Sequence, residues 1–166
     1  MCLGTTDIPM GAEGLAQARE MAAKLPEVTA VFSSPLTRVV QTAQAIGLPV
    51  TVLEGLRELQ AGEWDGLTFD EIKVRYAALY AARGSDPTLP LPGAEDHTEG
   101  LARFRSAMEE AAEGSPGDFA VVAHGGIIAR FLMSVGGRWK KPDYAQIIPL
   151  VWNAGNFYMM EEYSHA

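Results

Sequence analysis

Phe119-Ala-Val-Val-Ala-His124-Gly125-Gly126-Ile127 is a short apolar run that closes on a histidine and two glycines. A continuous apolar run bounded by turn residues predicts a strand covered on both faces, and the glycines let backbone approach a ligand at the start of the next helix. In open α/β sheets ligands gather at that end of the strands. The stretch therefore predicts a parallel α/β sheet and an anion site at His124.

A second unit of the same kind lies upstream. Ala30–Ser33 reads as a strand, Ser34-Pro35 as an N-cap followed by proline at the first helical position, and Leu36–Ile46 as the helix that follows, closed by Gly47. Around these two units the spacing of apolar residues predicts helices over Ala12–Leu25, Thr68–Arg83, Glu95–Glu113 and Ile127 to about Val135. Further strands are expected at Val50–Leu53, Ile147–Trp152 and Phe157–Met160. Arg57–Gly66, rich in glycine and charge, and the proline-rich Gly84–Gly93 read as loops. Strands alternating with helices predict a three-layer α/β sandwich, mostly parallel, formed by residues 1–166 as a single domain.

Composition narrows the function. The chain has 166 residues and a net charge of −8, which disfavours a nucleic-acid or anionic-membrane surface. One cysteine, Cys2, allows neither an internal disulfide nor a cysteine-rich metal motif. No apolar run reaches the roughly 20 residues of a membrane span, and the first residues lack the pattern of a signal peptide. The expectation is a cytoplasmic, soluble protein with no metal and no cofactor.

The two strand-to-helix junctions, Ser33-Ser34-Pro35-Leu36-Thr37-Arg38 and Ala123-His124-Gly125-Gly126, supply a guanidinium, an imidazole and helix-end amides. That set suits a phosphoryl group, because the arginine fork matches phosphate oxygens in pairs and a histidine can donate to an oxygen on which charge grows. The leaving oxygen also needs a proton, and the loop Leu56–Gly66 offers two carboxylates, Glu58 and Glu63. Composition does not choose between them. Trp64, Trp139 and Trp152 read as packing residues, and Glu95 as a carboxylate in the first turn of its helix. A serine hydrolase is disfavoured by the lack of any Gly-x-Ser-x-Gly elbow.

These segments resemble the histidine phosphatases, the phosphoglycerate-mutase-like superfamily. Ser33-Ser34-Pro35-Leu36-Thr37-Arg38-Val39-Val40-Gln41-Thr42-Ala43 is similar to the family's most recognisable block, and Ala123-His124-Gly125-Gly126 to its second histidine motif. Leu56-Arg57-Glu58 with Gly62-Glu63-Trp64-Asp65-Gly66 resembles the loop of the proton donor, and Pro92-Gly93-Ala94-Glu95 the entry to the lid-side helix. Cys2–Pro9 and Arg57–Gly66 look most like the α-ribazole phosphatase branch. The resemblance implies that Arg38 clamps the phosphate and His124 binds and polarises it. It makes Glu58 the group that protonates the leaving oxygen and later activates water, with Glu63 structural. It also sets Gly125, Gly126, Leu3 and Gly4 against the substrate, a small phosphorylated metabolite. The short segment from Thr68 to Glu95 favours phosphatase over mutase.

One departure stands out. The family's phosphoryl acceptor is a histidine in an Arg-His-Gly motif at the end of its first strand, and the sequence contains no such motif. His97 follows Pro92-Gly93 and His165 sits next to the last residue, so neither has a strand end beneath it. The expectation is a sheet without that strand, a fragile fold or a self-paired homodimer, and as the alternative function a phosphate-binding protein without turnover.

Overall fold

The computed structural model describes residues 10–160. Leu3, Gly4 and the rest of Met1–Pro9, like His165, lie outside the described residues.

Three parallel strands form the main sheet, β1 (Ala30–Ser33), β2 (Val50–Val52) and β3 (Phe119–Val122), in the order β2-β1-β3. Phe32 pairs with Val121 and Val31 with Ala120, so alternate residues face opposite layers. Phe32 and Val121 join the main core with Phe104, Met108, Ile127 and Phe131. These come from α5 (His97–Gly114) and α6 (Gly125–Ser134), which pack together. On the other side α2 (Thr37–Gln44) lies across all three strands with α1 (Ala12–Lys24) against it. The parallel α/β architecture expected from the sequence is present. Among the described residues no helix is long and apolar enough to cross a membrane.

The chain departs from the expected pattern at four places. Ser34 is not the cap of α2. Leu36 holds the N-cap position without a side-chain bond, and Ser34 is turned inward, fully buried. The single helix expected over Thr68–Arg83 is two, α3 (Phe69–Arg75) and α4 (Ala77–Ser85). They break at Tyr76, whose backbone leaves helical angles (φ −129°, ψ 39°) where its hydroxyl donates to Glu63 Oε2 at 2.8 Å and its ring leans on Trp64. Thr68 does start α3, through a reciprocal capping box with Glu71. Glu95 precedes α5 instead of sitting in its first turn. Asp96 caps that helix, accepting from Thr98 N and Glu99 N.

The last departure concerns the final strands. β4 (Leu150–Asn153) and β5 (Asn156–Met159) form a separate antiparallel hairpin. Its two-residue turn puts both Ala154 (φ 51°) and Gly155 (φ 81°) in the left-handed region, the geometry that matches the twist of paired strands. Among the described residues nothing pairs with the outer edge of β3. Between that edge and β4 lies a cavity of about 890 Å³, walled by Phe119–Val122, Phe131, Ile148, Trp152 and Phe157 and reaching Arg38, Glu58 and His124 at one end.

Candidate active site

His124 follows β3 and is the N-cap residue of α6, with extended backbone (φ −127°, ψ 150°). The next strand over, β1, ends at Ser33, and α2 begins three residues after Ser34, so Arg38 falls in its first turn. The parallel register of β1 and β3 brings these two strand ends level. Arg38 Nη2 donates a long hydrogen bond, 3.5 Å, to His124 Nδ1, and His124 Nε2 lies 2.8 Å from Ser34 Oγ. His124 is 6% exposed. Burial, followed by the charges of Arg38 and Arg103, pushes its pKa down to about 3, so the imidazole is neutral near pH 7.

Glu58 reaches the start of α6. Its carboxylate accepts from Gly126 N (3.0 Å), Ile127 N (2.7 Å) and its neighbour Leu59 N (2.9 Å). Helix-end amides attract a negative group. Burial nonetheless dominates and raises the Glu58 pKa above its ordinary value, against the pull of those amides and of Lys141. A carboxyl group held protonated to higher pH is suited to proton donation. Glu63 goes elsewhere, accepting from the Tyr76 hydroxyl on the lid side. Of the two carboxylates that composition left open, the structure places Glu58 beside His124.

The glycines divide. Gly125 lies against Lys141 and Pro142. The Gly126 amide donates to Glu58. A Cβ at Gly126 would come within 2.8–3.0 Å of the Glu58 carboxylate, so glycine is required by this close approach. Gly126→Ala is expected to leave the fold intact, because alanine favours the helix by up to about 1 kcal/mol. It should expel Glu58 and return its pKa to the ordinary carboxylate range, as read by carbon-13 titration of the Glu58 carboxyl.

Several residues of this site had no signal in the sequence. Arg103, on α5, donates from Nε and Nη2 to the two oxygens of Glu95 (2.7 and 2.9 Å), from Nη1 to the carbonyls of Gly55 and Arg57 (2.8 Å each), and from Nη2 to that of Glu58 (3.0 Å). It fixes the backbone that carries Glu58 from 45 residues away in sequence. Tyr144 shares a hydrogen bond with Thr42 Oγ1 at 2.9 Å, and both line the cavity. Ser34 was legible only as a helix cap. Among the described residues, no group of three His, Cys, Asp or Glu side chains is placed to hold a metal ion.

Fold and site together define an α/β protein whose charged residues converge at the carboxyl ends of two parallel strands. Residues 1–156 match the histidine phosphatase superfamily (branch 1), and the chain belongs to that family. It is 35% identical over 102 residues to the bifunctional protein Rv2228c of Mycobacterium tuberculosis, a match covering 58% of this chain and 28% of that one. The chain thus spans little more than a quarter of that relative's length. To the phosphatase PhoE of Bacillus subtilis it is 28% identical over 143 residues, 82% of this chain and 69% of PhoE. Among solved structures, a mycobacterial glucosyl-3-phosphoglycerate phosphatase in complex with VO3 superposes with a TM-score of 0.73 at 30% identity, covering 81% of this chain and 72% of that one. The α-ribazole phosphatase of Shigella flexneri shares the fold, with a TM-score of 0.75 over 96% of this chain and 86% of its own at 19% identity.

Proposed function

We propose that this chain carries the phosphate-handling half of a phosphomonoester hydrolase acting on a small phosphorylated metabolite in the cytoplasm. The observation behind this reading is the meeting of Arg38, His124 and Glu58 at one end of the cavity beside β3. Arg38 and His124 hold the phosphoryl oxygens, and charge on them is met by the guanidinium instead of a metal ion. Glu58 gives its proton to the leaving oxygen as the phosphorus–oxygen bond breaks and a phosphorus–nitrogen bond forms on an acceptor histidine. Water then attacks phosphorus and Glu58 takes its proton, while the phosphorus–nitrogen bond breaks, its electron pair returns to the histidine nitrogen, and phosphate leaves.

The acceptor histidine belongs to an Arg-His-Gly motif that this sequence does not contain. The edge of β3 that has no partner among the described residues, and that borders the cavity, is where a strand bearing it would add to the sheet. The same two observations favour the second reading, a phosphate-binding protein without turnover. Thermal denaturation with and without inorganic phosphate, and p-nitrophenyl phosphate hydrolysis in the presence of a chelator, separate them. The chain is expected to be stabilised by phosphate, and His124→Ala to lose that response. Fusing an apolar strand that ends in Arg-His-Gly ahead of Met1 is expected to give turnover that Glu58→Gln and His124→Ala abolish. Phosphate binding with no turnover in that fusion would establish the second reading.

A further inference from the structure

Ser34 is a hydroxyl that the chemistry above does not use, yet it is fully buried and within 2.8 Å of the histidine at the centre of the site. Its own backbone amide is held by Val122 O, so the residue is fixed to β3 as firmly as a strand residue. It does not cap the helix it precedes: the Leu36 amide is 3.5 Å from Ser34 Oγ, at the outer limit of a hydrogen bond. The side chain is directed at His124.

The two contacts of the imidazole determine where its proton sits. A guanidinium has donors and no acceptor, so Arg38 can meet Nδ1 only if Nδ1 carries a lone pair. In the neutral ring the proton is then on Nε2, and Ser34 Oγ accepts it. The charged groups around the ring agree with the neutral form: Arg38 on α2 and Arg103 on α5 both disfavour a positive charge there, while Glu58 lies on the α6 amides next to it.

We propose that Ser34 is a positioning residue that pins the Nε2 proton of His124, so that Nδ1, on the Arg38 side, is the atom that takes up a proton and donates to a bound phosphate oxygen. With Nε2–H held by Ser34, protonation has one open position. The proton gained at Nδ1 comes from solvent or from the phosphate monoanion, Arg38 turns from Nδ1 to the phosphate, and the bond to Ser34 is unchanged throughout. This rests on the phosphate reading of the site for its second step, while the first step concerns the free protein alone.

Nitrogen-15 NMR of the histidine rings tests both steps. In the free protein His124 is expected as a single Nε2–H tautomer, and with saturating inorganic phosphate both ring nitrogens are expected to become protonated. In Ser34→Ala the long 3.5 Å contact of Arg38 is left to favour Nε2–H and is too weak to fix it, so the free ring is expected to populate both tautomers, and phosphate to bind roughly five- to tenfold more weakly, the size of one lost hydrogen bond. Ser34→Cys, which keeps a weak acceptor at the same place, is expected to fall between the two. An Nδ1–H tautomer in the free wild type, or a pure Nε2–H tautomer retained in Ser34→Ala, overturns the proposal without any variant or ligand beyond those named. Absence of any phosphate response, with the free-state tautomers as expected, would overturn the phosphate reading and the second step while leaving the pinning of Nε2 in place.

Discussion

Arg103→Met is expected to destabilise the protein by about 2 to 4 kcal/mol, more than any other single change on the surface of α5. Methionine retains the apolar stem, so the loss measured is that of the guanidinium. Five hydrogen bonds go with it, three of them to the carbonyls of Gly55, Arg57 and Glu58, and the Glu95 carboxylate keeps only a 3.3 Å contact with Gln60 N. The pair is partly open to water, with the Arg103 and Glu95 side chains 27% and 16% exposed, which holds the figure below that of a fully buried ion pair. Urea denaturation at neutral pH measures the loss. Arg103→Lys should recover little of it, because an ammonium presents a point charge where the loop needs a planar fork. A second consequence follows for the site: Arg103 helps to hold His124 neutral, so the variant should bind a proton at His124 at a higher pH than the wild type. A loss under about 1 kcal/mol would mean that the loop from Gly55 to Glu58 is held by its own turns and not by α5.

How far the sequence discloses this arrangement depends on whether a residue acts within its own element. β3 and α6 were legible because an apolar run, a histidine and two glycines stand together in one segment, and the β1–α2 unit for the same reason. Arg38 and His124 were candidates because each sits at a junction whose type is readable locally, even though their meeting is a matter of strand register. Arg103 was not legible, since nothing in an amphipathic helix marks which of its arginines turns towards a loop 45 residues upstream. A serine before proline most commonly caps a helix, and at Ser34 tertiary contact with His124 overrides that preference. Glu95 shows the same override: its pairing with Arg103 draws it out of the helix whose first turn it was expected to occupy. Tyr76 breaks a helix that periodicity alone would carry through, because its ring and hydroxyl are claimed by Trp64 and Glu63.

Acid is expected to unfold the protein earlier than its acidic composition suggests, and the reason is His124. The unfolded ring titrates near 6.5 and the folded one near 3, so between those values the unfolded chain binds the extra proton and stability falls as pH falls. One proton contributes at most about 1.4 kcal/mol per pH unit, which amounts to about 2 kcal/mol between pH 6.5 and 5. His97 works in the same direction, lowered by burial and by the nearby charges of Arg130 and Arg83. Glu58 works against both. Its raised pKa lets the folded state take a proton above 4.5 where the unfolded chain is still ionised, so acidification through that range stabilises by way of Glu58. Glu95, lowered chiefly by Arg103, adds a loss only below 4.5. The difference between two curves isolates the contribution of His124. In His124→Gln the amide still reaches towards Ser34 and carries no titration, so the wild type should lose about 2 kcal/mol more than the variant between pH 6.5 and 5 in urea denaturation. Parallel curves would mean that the folded imidazole keeps an ordinary proton affinity. Inorganic phosphate should flatten the wild-type curve and leave the variant's slope unchanged, because an anion beside Nδ1 raises the folded pKa towards the unfolded one and narrows the window from which the acid sensitivity arises.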